Sequence, residues 1–348
     1  MGLPVEQDHP ERIREDKPMK FSVTLPSYIW PGMDYAMART VVRDCARQAE
    51  ALGFDSITVW DHFVSAPGLY GGSWHDPLLC LSHAAAVTER IHLGTDILVL
   101  PIRHPLLLAR EINTLAHLSG GRFFLGVGPG WNDPEFELMG IPRKERGART
   151  DEGLEILKLL LTQKNVSWEG KFYRFKNVTI DPVPPKMPEV WVAGGSRIKT
   201  SLSPDPEVIA PTVLARIAKH ADVFTLRASG DHELAKRDIL TVRDYCRKAG
   251  RTRPLAIAQV QAIWMVDSSN REECLRLQRP HFETMMGTHR DWHHLQRSYL
   301  TGTPDDIIQR LKDLESVGLE YIALHPTGPD INQLDLWKKH LFAAFGRT

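Results

Sequence analysis

The residues able to do chemistry sit where apolar runs break off. Residues 60–63 read Trp-Asp-His-Phe at the end of an apolar segment. Asp61 and His62 could there orient a cofactor ring or shuttle a proton, or be satisfied by nearby backbone at a rim. In "GTDILVLPIRHP", Asp96 followed by Ile97 interrupts a second apolar run. A carboxylate in such surroundings is costly without a hydrogen-bond partner, so it faces either a ligand or a structural donor. The run "FFLGVGPGWNDPEF" carries Gly128, Gly130 and Trp131, where glycine allows a flat ligand close to the backbone and tryptophan can pack on it. A tight turn alone would use the same glycines. In "AGGSRIKTSLSPDP", Gly194, Gly195, Ser196 and Arg197, with Lys199 and Thr200 beyond, combine free amides, hydroxyls and cations in a way that suits a terminal phosphate. A solvated loop is the alternative.

Several other chemistries lack their patterns. Gly126-Val127-Gly128-Pro129-Gly130 is not a dinucleotide fingerprint, because Trp131 stands where the third glycine belongs and no acidic residue ends a strand about 20 positions on. The chain has no GxSxG elbow and no GxxxxGK[ST] loop. "HRDWHHLQ" lacks the spacing of a zinc site, so its histidines are expected on the surface, and no metal site is expected elsewhere. Arg146, Arg149, Glu152 and Glu155 are expected to make ion pairs on a helix surface.

What must position these residues is a repeating unit. Eight short apolar segments begin at Phe21, Ser56, Ile91, Phe123, Glu189, Asp222, Leu255 and Tyr321, each followed by a stretch with helical spacing. They are β-branched and aromatic with little polar alternation, as strands covered on both faces are. The helices carry end signals: Asp34 as cap and Gly53 as stop around one, Thr303, Pro304 and Gly318 around another. Eight strand-then-helix units predict an α/β fold, a closed (β/α)8 TIM barrel with its active site at the C-terminal ends of the strands. Two insertions are expected, a hairpin over Val166 to Ile180 and a longer segment from Ser268 to Thr301 that would roof the pocket. The barrel is expected over 21–348 as one domain, after a loose polar tail at 1–20.

The totals narrow the class. Lys plus Arg and Asp plus Glu are 43 each among 348 residues, leaving no basic excess for nucleic acid. The 4 cysteines form no CxxC and suit a reducing compartment. No apolar run reaches the roughly 18 residues of a membrane span. A cytoplasmic enzyme of small molecules is expected.

In order, "AEALGFDSITVWDHF", the block from "DPLLCLSHAAAVTERIHLGTDILVLP" through "GGRFFLGVGPGWNDPEFELMG" to "GARTDEGLEIL", "WEGKFYRF", "PEVWVAGGS" and "GTPDDIIQRL" resemble the bacterial luciferase-like flavin-dependent monooxygenase and oxidoreductase family. The likeness runs from Phe21 to Phe345. It implies a barrel holding FMN, or in a sister branch the deazaflavin coenzyme F-420, at its C-terminal mouth. By the resemblance Asp61 and His62 lie beside the ring, and Asp96 and Ile97 form a bulge beneath it, where some members have a non-prolyl cis peptide. A small residue is commoner at the position of Asp96. Gly128, Gly130 and Trp131 line the ring, and Gly194, Gly195 and Ser196, with Arg197, hold the phosphate. Trp131 stands where certain deazaflavin-dependent dehydrogenases carry a glutamate for proton transfer.

The resemblance implies a monooxygenase using reduced FMN and oxygen on a small organic substrate, with His62 and Asp61 as its catalytic pair and a flavin reductase as supplier. The alternatives are hydride transfer with F-420 and a flavin-binding barrel without catalysis. Family habit implies a homodimer or homotetramer.

Overall fold

The computed structural model describes residues 18–65, 70, 72–196, 208–227, 231–287 and 289–347. Its strands are β1 (Lys20–Thr24), β2 (Ser56–Val59), β3 (His92–Thr95), β4 (Leu98–Val99), β5 (Phe123–Gly128), β6 (Val166–Glu169), β7 (Arg174–Val178), β8 (Val190–Gly194), β9 (Val223–Leu226), β10 (Ala256–Ile263) and β11 (Tyr321–Pro326). The helices are α1 (Tyr35–Leu52), α2 (Pro77–Ala85), α3 (Pro105–Leu118), α4 (Asp133–Leu138), α5 (Arg146–Leu160), α6 (Pro211–His220), α7 (His232–Lys248), α8 (Arg271–Met286), α9 (Trp292–Ser298), α10 (Pro304–Ser316) and α11 (Gln333–Trp337).

Among the described residues β1, β2, β3, β5, β8, β9, β10 and β11 pair in that order, each parallel to the next, and β11 pairs back with β1. The ring is closed, and each expected apolar segment supplies one of its staves. The short β4 continues the third segment beyond an interruption at Asp96 and Ile97 and pairs with β5. Because the ring has no edge, every central strand is hydrogen-bonded on both sides.

The lumen is packed. Phe124 and Trp191 stack with ring centroids 4.5 Å apart, and Val223 and Ala258 fill the rest of that layer. Across β1 and β2 the hydroxyls of Thr24 and Thr58 bond at 2.9 Å. The outward faces of the strands bury Ile57, Leu93, Leu125, Val192, Phe224, Ile257 and Leu324 against the helices. Sealing both faces in this way is what a barrel of parallel strands needs.

The end signals act as expected. Asp34 accepts the Met37 amide at 2.8 Å, and Gly53 takes φ 88°, closing α1. Thr303 and Asp306 form a reciprocal capping box on α10. The hairpin β6–β7 lies where it was expected, and Glu152 of α5 clasps it by accepting from Trp168 Nε1 at 3.1 Å and from the Tyr173 amide at 3.0 Å. That corrects the expectation of a surface ion-pair row: Glu152 is spent on the hairpin, Arg149 pairs with Glu145, and Glu155 pairs with Lys219 of α6. Met19 is buried and Lys20 already pairs with Tyr321, so the barrel begins before Phe21; residues 1–17 of the expected tail lie outside the described residues. No described helix is long and apolar enough to cross a membrane.

Candidate active site

The C-terminal ends of the strands open into one cavity of about 700 Å³, room for a tricyclic ring and a small second molecule. Asp61, His62, Asp96, Ile97, Gly128, Gly130, Trp131, Gly194 and Gly195 all line it. These residues sit at or after the ends of four different strands, β2, β3, β5 and β8. The barrel brings them together because each follows a strand of the same ring.

His62 leaves the end of β2 into a wall of rings. Its imidazole lies 4.6 Å from Trp74, 5.2 Å from Tyr70 and 5.6 Å from Trp131 between centroids. Its Nδ1 lies 3.4 Å from Oε1 of Glu135, which also accepts the Phe63 amide at 2.9 Å. Glu135 is buried, and its Oε2 has no partner. An imidazole with a carboxylate behind one nitrogen has the other free for proton exchange, which is how acid–base catalysts are oriented.

Asp61 has a different set of partners. Its Oδ2 accepts the Val99 amide at 2.9 Å, and its Oδ1 accepts from Arg103 at 3.0 Å. Arg103 also reaches Asp76, the cap of α2. Asp61 therefore ties the end of β2 to β4 and to α2, which holds the neighbouring His62 in place; its carboxylate is engaged rather than presented for proton transfer. Burying a charge is tolerated because the guanidinium pairs with it.

Asp96 forms the floor. The Asp96–Ile97 peptide is cis. The carboxyl is buried, its Oδ1 accepts from Thr225 Oγ1 at 2.9 Å across the lumen, and its Oδ2 has no partner. Burial pushes it up to about 7, against the Thr225 hydroxyl, which favours the ionised form. Beside it Gly128 lies so close to Ile97 that an added Cβ would come 2.9 Å from Ile97 Cδ1. Gly130 takes φ 72°, where other residues are strained.

At the other end of the cavity are Gly194, Gly195, the start of α6 at Ala210 and Val213, and Arg143 and Arg146. α6 opens on Pro211, which has no amide hydrogen, and its Val213 and Leu214 amides both donate to the Ala210 carbonyl, at 2.9 and 3.1 Å. The N-terminal end of α5 packs there too, with the Gly147 carbonyl accepting from Arg216 at 3.0 Å. Glycines and two guanidiniums suit an anionic tail. Ser196 departs from its expected part in this cradle. Its amide and hydroxyl both donate to Asp238 of α7, at 2.5 and 2.6 Å, so the carboxylate already occupies the donors that a phosphate would take. Arg197, Lys199 and Thr200 lie outside the described residues.

The Ser268 to Thr301 insertion folds as α8 and α9 beside the mouth. Phe282, Met285, Met286, Leu295 and Tyr299 pack with Tyr28, Trp30, Trp60 and Trp74 in a core of their own. Arg290 hydrogen-bonds the phenols of Tyr299 and Tyr70, both of which line the cavity, and donates to His289 at 2.7 Å. Of the three expected surface histidines, His293 is exposed, while His289 and His294 are half-buried.

A family model described as luciferase-like monooxygenase matches residues 19–205, more than half of the chain. The chain belongs to the luciferase-like monooxygenase family. Its relatives include an F420-dependent glucose-6-phosphate dehydrogenase of Segniliparus rotundus, 27% identical over 84% of this chain and 90% of that one. A protein of the same name from Intrasporangium calvum is 26% identical over 81% and 87%. Among solved structures, a monooxygenase from Streptomyces bottropensis superposes with a TM-score of 0.75 at 23% identity, covering 93% of this chain and 99% of that one. The oxygenating constituent of 3,6-diketocamphane monooxygenase from Pseudomonas putida, in complex with FMN, gives 0.72 at 21% identity, covering 93% and 98%. These similarities agree on the (β/α)8 barrel, and the two expected cofactors, F420 and FMN, are those the relatives carry by name. As a member of the luciferase-like family the protein is an oxidoreductase.

Four residues of the luciferase-like site escaped the sequence reading. Glu135 stood four positions past Trp131 in a stretch read only for its glycines. Arg103 and Arg290 pair with residues distant in sequence, which no local pattern reveals. His325, inside "YIALHPTG", stacks on Trp60 with centroids 4.0 Å apart and planes 12° off parallel. Both its ring nitrogens are buried without partners, and burial pushes it down to about 3, so it is neutral.

Proposed function

We propose that this chain binds coenzyme F-420 and exchanges hydride between its deazaflavin ring and a small alcohol or the corresponding carbonyl compound. The reading rests on one observation, the cavity-lining imidazole of His62 with the buried Glu135 carboxylate at its Nδ1. Oxidation of an alcohol needs a group that takes the hydroxyl proton while the C–H electron pair leaves, and an oriented imidazole can do that. Relatives over four-fifths of the chain carry F420 dependence in their names, which favours the same cofactor here. The order of the two cofactors expected from the sequence is thereby exchanged.

The residues fit such a group. Gly128 and Gly130 let the backbone pack against Ile97 and Val99 where a Cβ would collide, which keeps that wall of the cavity flat, and Arg143 and Arg146, which line the same cavity as Gly194 and Gly195, offer donors to a phosphate. When bound, the deazaflavin supplies a two-electron hydride acceptor. His62 exchanges the substrate's proton at Nε2, Glu135 stabilises the imidazolium that results, and Asp61 fixes the β2 end through Arg103. Tyr70, Trp74 and Trp131 keep water from the reacting atoms.

The same aromatic wall favours a second reading, a monooxygenase using reduced FMN and oxygen with a flavin reductase as partner, since that chemistry depends on exclusion of water. Titrating the protein with FMN and, separately, with F-420 identifies the cofactor. The F-420 complex is then mixed with secondary alcohols and sugar phosphates while the absorbance of the oxidised deazaflavin is followed. The expected result is its loss with at least one alcohol. Substrate-dependent oxygen uptake by the reduced FMN complex, with the deazaflavin unchanged throughout, overturns the first reading in favour of the second. Tight binding with neither reaction points to a non-catalytic flavin-binding barrel.

The same reading includes a cytoplasmic site of action and a homodimer or homotetramer. Leu79 of α2 and Leu107 of α3 are exposed, and a second copy of the chain packed against these helices would cover them.

A further inference from the structure

A buried carboxyl beside a cavity, with one oxygen satisfied and the other without a partner, is incomplete as a structural element. Asp96 is such a group: Oδ1 is held by Thr225 across the lumen, Oδ2 has no partner, and the residue lines the cavity floor. Native proteins pair nearly all buried polar atoms, so an orphan on a residue that lines a binding cavity is a candidate for completion by what binds there. The floor cannot rearrange to supply a partner from within. Gly126 and Gly128 of β5 have no side chains, the Asp96 amide is fixed to the Val59 carbonyl at 3.0 Å, and Ala193 of β8 is apolar.

We propose that Asp96 is a proton-taking contact of the cofactor: when a ring system seats on this floor, the carboxylate binds one proton from solvent and offers the resulting O–H to the ring. The inference rests on the reading of the site as a flavin or deazaflavin pocket and adds to it a role for one residue. The step is a protonation, in which a solvent proton joins the carboxylate and no electrons move. Burial already holds the group near neutrality, so a modest further loss of water on binding is enough to tip it. The other titratable or charged groups around this cavity are Asp61 and His62 after β2, Arg227 after β9, Glu135 from α4, Tyr70, Tyr299, Arg143 and Arg146, with His325 of β11 behind Trp60. Asp61 is neutralised by Arg103, Glu135 lies against His62, and His325 is neutral. Among the described residues Thr225 bonds the Asp96 carboxyl, at Oδ1.

The test is calorimetry of cofactor binding to the full chain at pH 8, in phosphate and in Tris, with oxidised FMN and with oxidised F-420. Where protons are taken up, the measured heat depends on the buffer that supplies them. Wild type is expected to take up a substantial fraction of one proton more than Asp96→Asn; exchange at the cofactor's own phosphate is common to both proteins and cancels. The affinity of wild type relative to Asp96→Asn should also fall as pH rises above 7, by up to about tenfold per unit. Thr225→Val keeps the carboxyl but removes the donor that favours its ionised form, so its uptake should persist to higher pH. Equal proton uptake by wild type and Asp96→Asn, or an unshifted profile in Thr225→Val, overturns the inference while leaving the cofactor reading intact. No heat with either cofactor overturns the cofactor reading, and this inference with it.

Discussion

His62 and Glu135 are neighbours in space, Nδ1 to Oε1 at 3.4 Å, although 73 residues separate them in the chain. Glu135 also holds the Phe63 amide, so one buried carboxylate fixes both the ring and the backbone that follows it. The separation is long for a hydrogen bond, as such contacts often are before a substrate is bound.

Replacing His62 by Gln or Ala should lower turnover by roughly 10²- to 10⁴-fold while the cofactor's Kd changes little. Glu135→Gln should cost less turnover, because it leaves the imidazole in place but weakens the support of its charged form. Steady-state rates across pH, with Kd from fluorescence titration, check both. Undiminished turnover in His62→Gln would remove His62 from the chemistry.

Asp96 predicts a stability that depends on pH in an unusual sense. Burial raises its folded-state value to about 7 from an ordinary 3.8, so its ionisation works against folding. Its contribution is fully present below about pH 4 and is lost as pH rises through 7. Asp96→Asn should therefore gain on wild type between pH 4.5 and pH 8, by an amount on the order of 3 kcal/mol. Urea midpoints at the two pH values measure it, and a gap that does not change would contradict the burial argument.

His325 predicts the opposite edge. Its folded-state value is pushed down to about 3, so the stability it contributes is present above about pH 6.5 and drains away as pH falls toward 3. Replacing it with Phe keeps a ring against Trp60 and removes the titration. At pH 4.5 His325→Phe should outlast wild type by roughly 2 kcal/mol more than it does at pH 7.5. Acid-unfolding curves followed by tryptophan fluorescence would report the difference.

Arg122 belongs to the far end of the barrel. Its guanidinium donates to the carbonyls of Ser119, Ile91, Ala85 and Thr88 and to the Thr88 hydroxyl, at 2.7 to 3.2 Å. Lysine cannot reproduce that fork. Arg122→Lys should cost about 2 kcal/mol in stability and leave cofactor affinity unchanged, since conserving this end concerns folding rather than chemistry. Thermal denaturation together with a binding titration distinguishes the two.

How far the sequence could be read follows from the range of the interactions involved. All eight barrel strands and the hairpin were legible because burial on both faces leaves a local record in residue type. Caps at Asp34 and Thr303 were legible because a cap acts within its own turn. Most cavity-lining residues were reachable through one rule, that function gathers where barrel strands end. Ser196 resisted, since the Asp238 carboxylate that occupies it comes from the next helix unit, 42 residues away. Glu135 and Arg103 resisted for the same reason. Their neighbours in sequence are ordinary, and only the closed ring brings them to His62 and Asp61.

The glycines of the third and fourth segments limit how this pocket can be remodelled. An added methyl at Gly126 would fall on the Thr95 carbonyl, and one at Gly94 would fall on the Phe124 ring. Libraries that randomise these positions should return mainly glycine, whatever activity is selected. Diversity aimed at new substrates belongs instead at Tyr70, Trp131 and Tyr299, which border the void from loops and an added helix and can change size without disturbing the staves.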